Sequence, residues 1–511
     1  MLSVATIAFA VMATLFILDG FYSAGKNRTL VDFFLRGGKL RTLGFFSNIL
    51  STNLSVGNFL IFVAGWGFTF GIGGIFWFSV NLALNAIGFY YYLPRFKAYI
   101  EDPSTSGTVH EYLALAYSSG PDDRYAHRLR FAASLATVTC LLLAMAFEIQ
   151  LGAALASALL GLPLIPIFFA FISLMAIYTA AGGFRTVVWT DAVQSAALIL
   201  GAVGMLVLCR HLQTEYGITR GAAHNSLDIG IYNIIGILVV GSGWFLVGMD
   251  NWQRTSASRS ARVSVLGFSI YTAVIILFGV AFGWFGIVDR QFVTALLSPS
   301  QLSSAGFNPF LDLFSVAGRL SPTDQKLAAL LLVTLIVAAL STADTFLFVC
   351  AHSLVSDVLL GLGKRGSLHI LTPRESTTYL ALARSVVVAL AVFVTLTWTV
   401  LAINDAWKDP VSFFFIAYSA QFALLAPVAL SKWPHWGFSA RAAFWSVVVG
   451  IAVSLSWGFG SLAALQHGYT RFLFIDLAGG LSLTPVFAGL AGLVVLLAVD
   501  RPIRGSVDKS R

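Results

Sequence analysis

Thirteen stretches of the chain are apolar for long enough to cross a bilayer. They lie near residues 2–19, 43–67, 72–94, 130–158, 163–181, 187–209, 229–249, 263–288, 327–361, 378–402, 410–431, 440–459 and 480–499. About 20 consecutive apolar residues span the hydrocarbon core as an α-helix, and a helix satisfies its own backbone donors and acceptors there. The pattern therefore predicts an all-α polytopic membrane protein with thirteen spans. The longest gaps, 95–129 and 289–326, have room for short interfacial helices and not for a further soluble domain.

Composition agrees. Of 511 residues, 58% are hydrophobic and 11% charged, less than half of the roughly 25% charge of a soluble domain. That excludes a soluble enzyme, a disordered chain and a coiled coil. Cys140, Cys209 and Cys350 all lie in apolar runs without metal-ligand spacing, so neither a disulfide framework nor a zinc site is expected. The net charge of +8 is scattered over short loops and forms no stripe for nucleic acid. Its distribution is informative in another way. With the N-terminus outside, 23 of the 31 Lys and Arg fall on inner loops and the tail, and 7 on outer loops, with Arg384 inside a span. The positive-inside rule then places both the long basic loops and the C-terminus in the cytoplasm. Nothing basic precedes the first stretch, so it reads as a spanning helix and not as a signal peptide.

A few spans carry polar residues where lipid anchors would carry Leu. A carboxylate at the bilayer centre costs at least ~2.5–3.5 kcal/mol. The second span reads FFSNILSTNLSVGNFLIFVAGWGF, with Ser47, Asn48, Ser51, Thr52, Asn53, Ser55, Gly57 and Asn58 crowded together. Such a run suits a helix break whose freed carbonyls bind a small hard cation; it also suits close packing through small residues. The seventh span, with Gly236, Gly241, Ser242, Gly243 and Gly248, is a second glycine-interrupted segment. The ninth holds Ser341, Thr342, Asp344 and Thr345, of which Ser341, Asp344 and Thr345 share one face. Hydroxyls beside a carboxylate suit Na⁺ or a proton and no soft metal; the alternative is an internally bonded hydroxyl face with Asp344 paired to Arg384. Asp191 and Gln194 stand one turn apart in the sixth span, where Arg185 is an alternative partner for the aspartate. Glu148 lies deep in the fourth span with no partner evident. His352 reads as a packing residue.

At these motifs the chain resembles the sodium:solute symporter family. DFFLRGGKL, STNLSVGNFL, GGFRTVVWTDAVQ, WQRTSASRS and ALSTADTFLFVCAHSLVSDVL occur in the family's order, and the resemblance runs from the first helix to about residue 430. It implies the leucine-transporter type of inverted repeat, five helices followed by five upside-down. Here that means an extra helix at 2–19, repeats over 43–209 and 229–431, peripheral helices over 440–499 and a tail at 500–511, all one transmembrane unit. The resemblance also implies a sodium held by carbonyls of Ser51, Leu54 and Ala338 and hydroxyls of Ser341 and Thr342. In members with a second sodium, Asp191 joins the positions of Ser341, Asp344 and Thr345. Asp344 stands where a hydroxyl or small residue is usual, so the second ion could be Na⁺ or a proton. The solute would sit beside Asn58, Phe59 and Trp244.

The expected function is sodium-coupled symport of a small polar organic solute across the cell membrane by alternating access. The solute is read as neutral or zwitterionic. Na⁺ is the coupling ion, and no other cofactor, no nucleic acid and no obligate protein partner is expected. An integral-membrane enzyme is disfavoured, because no nucleophile motif, phosphate loop or intramembrane His pair occurs. The rival is a symporter-like sensory module acting with a separate partner.

Overall fold

A computed structural model describes residues 2–102, 104–216, 227–296, 309–362, 373–403, 410–431, 437–467, 469, 471–472, 475–476 and 481–500. They are almost entirely helical. In chain order, α1 is Leu2–Ala24, α2 Leu30–Leu35, α3 Thr42–Asn53, α4 Ile61–Phe70, α5 Ile72–Ile100 and α6 Val109–Tyr117. Next come α7 Arg124–Leu160, α8 Leu164–Glu215, α9 Ile231–Val247, α10 Met249–Ala257, α11 Ala261–Leu296 and α12 Pro309–Ser315. The chain closes with α13 Pro322–Ser353, α14 Pro373–Ile403, α15 Pro410–Ser419, α16 Leu425–Leu430, α17 Ala440–Gln466 and α18 Thr484–Val499. A short antiparallel ribbon pairs Arg471–Phe472 with Ile475–Asp476. The tail beyond Asp500 lies outside the described residues.

Among the described residues, eight helices are long and apolar enough to cross a membrane, or nine with the bent α9–α10 pair taken as one. Length and apolarity alone thus do not give thirteen. The shortfall falls on segments that the backbone divides or joins. α8 merges two of the predicted stretches and turns between them at Gly183, with φ 62° and ψ −155°. That left-handed geometry favours glycine, and a Cβ there would meet the Phe33 ring and backbone. Ile61–Phe70 is apolar but shorter, because the break after Asn53 divides its segment.

α13 is the centre of the bundle and packs between α7 and α8. Its most apolar stretch is 78% buried, against 28% in α17, which pairs with α18 at the periphery. A helix enclosed by protein on all sides can carry polar groups that lipid would exclude, and α13 is where Ser341, Thr342, Asp344 and Thr345 stand. α5 packs on α9, and α4 on α11, so elements of the early and late halves interleave.

Where α7 begins and α13 ends, a buried ionic cluster ties three elements together. Arg130 of α7 donates through Nε to Asp357 at 2.8 Å and through Nη2 to Glu111 of α6 at 3.3 Å. Asp357 lies in the π-helical turn Leu354–Leu359 after α13 and also meets His110 Nδ1 at 2.8 Å and the Thr108 hydroxyl at 2.8 Å. Removing one member of a buried ion set strands the others, at about 3–5 kcal/mol. Arg130→Met is therefore expected to lower the melting temperature in detergent sharply, whereas Arg130→Met combined with Asp357→Asn and Glu111→Gln recovers much of the loss. An Arg130→Met protein as stable as the wild type contradicts this account.

Candidate functional site

The site is built around the interruption of α3. In a regular helix the Val56 amide would bond the Thr52 carbonyl, and the Gly57 amide the Asn53 carbonyl. Here Val56 N–H donates to Glu148 Oε2 at 3.1 Å and Gly57 N–H to Oε1 at 2.9 Å, while the Ser55 hydroxyl also bonds Oε1. Glu148 comes from α7 and is fully buried. Gly57 allows the approach, because a Cβ there would meet Phe147 and would lie 2.8 Å from Glu148 Oε1. The released Thr52 carbonyl accepts from the Thr342 hydroxyl of α13 at 3.0 Å. The chain then passes through a π-helical turn, Val56–Leu60, into α4.

Short polar side chains make this break accessible locally. Thr52 Oγ1 bonds the Asn48 carbonyl at 2.9 Å and Asn53 Nδ2 the Ile49 carbonyl at 2.8 Å, side-chain bonds that compete with the ladder. A second break comes at Gly248, whose extended φ −71° and ψ 102° separate α9 from α10 at a 44° bend. The two interrupted segments also touch through backbone. Leu40 N–H donates to the Ala257 carbonyl at 3.0 Å, and Arg259 N–H to the Leu40 carbonyl at 3.0 Å.

On the Thr42 side of the break a buried polar network joins α3, α8, α10 and α13. Asp191 of α8 accepts from the Ser341 hydroxyl at 2.7 Å and from the Asn48 amide; the Ser51 hydroxyl lies beside it. Arg254 of α10 donates to Asn48 Oδ1, to Thr52 Oγ1 at 2.6 Å and to Asp250 at 2.6 Å. The Thr52 hydroxyl is 3.0 Å from that of Thr345, and Thr345 Oγ1 is 3.5 Å from Asp344. Asp344 accepts from the Tyr178 hydroxyl at 2.5 Å. The two aspartates thus belong to one network, joined through Asn48, Arg254, Thr52 and Thr345.

On the other side of the break a cavity of about 270 Å³ opens. Phe59, Phe62 and Trp66 line it from one broken segment, and Asn233, Val240 and Trp244 from the other. Trp244 stacks on Tyr418 with ring centres 4.4 Å apart. Asn53, Asn81 and Asn85 add amides, and no lining side chain among the described residues is charged.

The sequence-based expectations divide accordingly. Ser51, Leu54, Ala338, Ser341, Thr342, Asp191, Asp344 and Thr345 are all buried where α3, α8 and α13 meet. Phe59 and Trp244 face one cavity; the Asn58 side chain lies outside the described residues. Asp344 is held by Tyr178, and Arg384 reaches instead to the Ala24 carbonyl at 3.4 Å. Asp191 bonds Asn48 and Ser341 and not Arg185. Gln194, fully buried, has no hydrogen-bond partner among the described residues. His352 stacks on Phe34 and meets the Ser106 carbonyl at 3.0 Å, a packing role. Arg254, one of the 23 cations that the charge pattern assigns to the inner side, stands in α10 and not in a loop. It is 1% exposed, because Asp250 one turn earlier and Asn48 and Thr52 of α3 supply its partners. Asp250 at that i, i+4 spacing was the available signal. Tyr178, in an otherwise apolar run, gave none.

The helices are thus arranged around two broken segments, with hydroxyls and carboxylates beside the breaks. The fold is similar to that of a Na⁺-coupled sialic acid symporter solved in a substrate-bound, outward-open state, with TM-score 0.73, 18% identity and 98% of each chain covered. The chain resembles the sodium:solute symporter family, whose family model matches residues 33–218. Over 498 residues it is 24% identical to the sodium/sialic acid symporter SiaT of Proteus mirabilis, covering 93% of this chain and 91% of that one. Over 367 residues it is 25% identical to the sodium/proline symporter of Salmonella typhimurium, covering 69% of this chain and 70% of that one.

Arg254 gives the network a direct test. Arg254→Gln removes the charge shared by Asp250, Asn48 and Thr52, and charged hydrogen bonds contribute about 1.5–3 kcal/mol each. A double-mutant cycle with Asn48→Ala, read by thermal unfolding, is expected to show coupling of about 1–2 kcal/mol. Additive effects would mean that the two side chains do not act together.

Proposed function

We propose that the chain is a sodium-coupled symporter that carries a small polar organic solute across the cell membrane by alternating access. The observation that carries this reading is the broken α3, whose Thr52 carbonyl and hydroxyl meet Thr342 and Thr345 of α13, beside Ser341 and its bond to Asp191. Hard oxygen donors from two or three helices around an unwound turn are what a small cation requires at mid-membrane. In this reading Ser51, Leu54, Ala338, Ser341 and Thr342 bind one Na⁺. Asp191, Asp344, Ser341 and Thr345 bind a second, because two neighbouring carboxylates need a cation between them to stay ionised together. The solute occupies the cavity at Phe59 and Trp244. Its uncharged, aromatic and amide-bearing lining supports a neutral or zwitterionic solute over the acid that the sialic acid relatives are named for.

The topology belongs to the same proposal. Thirteen spans follow if α8 crosses twice and if α1, the α3–α4 pair, the α9–α10 pair and α15–α16 each cross once. With the N-terminus outside, the cavity faces the exterior while the Arg254 network closes the cytoplasmic path. Sodium binding then favours this outward-facing arrangement and raises solute affinity reciprocally. The protein makes and breaks no covalent bond, and Na⁺ is its coupling ion.

Two measurements test the reading. Ser341→Ala and Thr342→Ala each remove a coordinating oxygen, about 1–3 kcal/mol for a buried polar group left unmatched. The half-saturating sodium concentration, from thermal stabilisation by NaCl against choline chloride, is expected to rise about tenfold or more for each. An unchanged value in a folded double variant removes the first site. Asp344→Asn is expected to bring the Hill coefficient for sodium-driven uptake of the identified solute from above one towards one. Uptake that keeps its sodium order, pH profile and rate in Asp344→Asn makes Asp344 a packing residue. A solute panel that includes proline and N-acetylneuraminate, screened with and without Na⁺, supplies the transported probe.

A further inference from the structure

Glu148 has the most specific geometry of any group that the proposed ion and solute sites leave out. It is fully buried in α7, outside both sodium ligand sets, and its carboxylate takes the Val56 and Gly57 amides and the Ser55 hydroxyl. The two amides are the donors that a continuous helix would have given to the Thr52 and Asn53 carbonyls. By accepting them, Glu148 makes the interruption self-consistent. The N–H groups are satisfied from α7, and the Thr52 carbonyl is released towards α13. One release is visible: the Thr52 carbonyl has moved to the Thr342 hydroxyl at 3.0 Å. The contact is also sterically built in, since any side chain at Gly57 would push against Phe147 and Glu148.

We propose that Glu148 is a positioning residue for sodium. Its carboxylate holds the Ser55–Gly57 turn unwound, so that the end of α3, which carries the Ser51 and Leu54 carbonyls, stays open to the ion. Charge is essential to this role. A carboxylate accepts all three bonds, whereas a carboxamide turns an N–H₂ towards donors that are already in place. Without the anion the α3 ladder re-forms in part, and sodium must break it again on binding, which appears as weaker sodium affinity. The inference rests on the sodium reading above and adds to it a residue that never touches the ion.

The full-length protein in detergent is titrated with NaCl at constant ionic strength in choline chloride, and the melting temperature is followed. Glu148→Gln is expected to raise the half-saturating sodium concentration about tenfold, the scale of one charge-assisted hydrogen bond, while its sodium-free melting temperature stays near that of the wild type. Glu148→Asp keeps the charge with a shorter reach and falls between the two. Ser55→Ala removes one of the three donors and raises the value about threefold. A folded Glu148→Gln with wild-type half-saturation overturns the proposal. If Glu148→Gln does not fold, an unshifted Ser55→Ala overturns it equally. A wild-type protein that responds no more to NaCl than to choline chloride overturns the sodium reading itself, which is a distinct result from an unshifted variant of a sodium-responsive protein.

Discussion

Every backbone donor and acceptor in a membrane-buried segment must find a partner within the protein, and this constraint organises the molecule. A helix meets it automatically; an interrupted helix does not. The break after Asn53 exposes amides on one side and carbonyls on the other, and the neighbouring helices are arranged to receive each kind. α7 brings a carboxylate to the amides, and α13 brings a hydroxyl to a carbonyl. Both neighbours are among the most enclosed helices of the bundle. Their central position thus reflects more than apolar packing, since they supply the groups without which α3 would close into an ordinary span.

The same logic governs the buried charges. Each lies inside a set of partners drawn from different helices. Arg130 joins α7 to α6 and to the end of α13, and Arg254 joins α10 to α3. Such groups contribute little net stability compared with apolar packing, but they are costly to separate one at a time. They therefore define which helices move as a unit. The Leu40–Ser258 backbone bridge adds a second tie between the approach to α3 and the exit from α10. The two interrupted segments are fastened to each other on the side of the breaks away from the cavity.

Much of this was legible in the sequence, and the limits have physical causes. Apolar run length located the long helices, because the bilayer sets one length scale for all of them. It set the two stretches of α8 apart on either side of the turn at Gly183, but it ran α3 and the short α4 together as one continuous stretch. Hydroxyl and carboxylate residues on α13 announced a polar site, because lipid would expel them otherwise. Their partners were less visible, since partnership is a property of the three-dimensional path. Glu148 was seen as anomalous and left without an explanation, because its three donors lie about 90 residues away in the chain. Arg254 was misread for a related reason. A cation at the end of an apolar segment looks like a loop residue until the break at Gly248 turns the last helical piece back into the bundle.

Asn48 shows how these constraints converge on one side chain. Its carbonyl oxygen accepts from the Arg254 guanidinium and its amide nitrogen donates to Asp191, so it stands between a cation and an anion with its orientation fixed by both. Neither aspartate nor leucine could take its place. The first would set a second negative charge against Asp191, and the second would leave a buried cation and a buried anion each short of a partner. The Asp191 carboxylate, in turn, is served by α3 through Asn48 and by α13 through Ser341. In the proposed cycle a sodium ion at Asp191 draws on the same lone pairs that hold these two helices. Ion occupancy and the α3–α8–α13 contact are then linked by necessity, since whatever changes one free energy changes the other by the same amount. A carboxylate that only bound sodium, with no helix hanging on it, could not report the ion's arrival to the rest of the bundle.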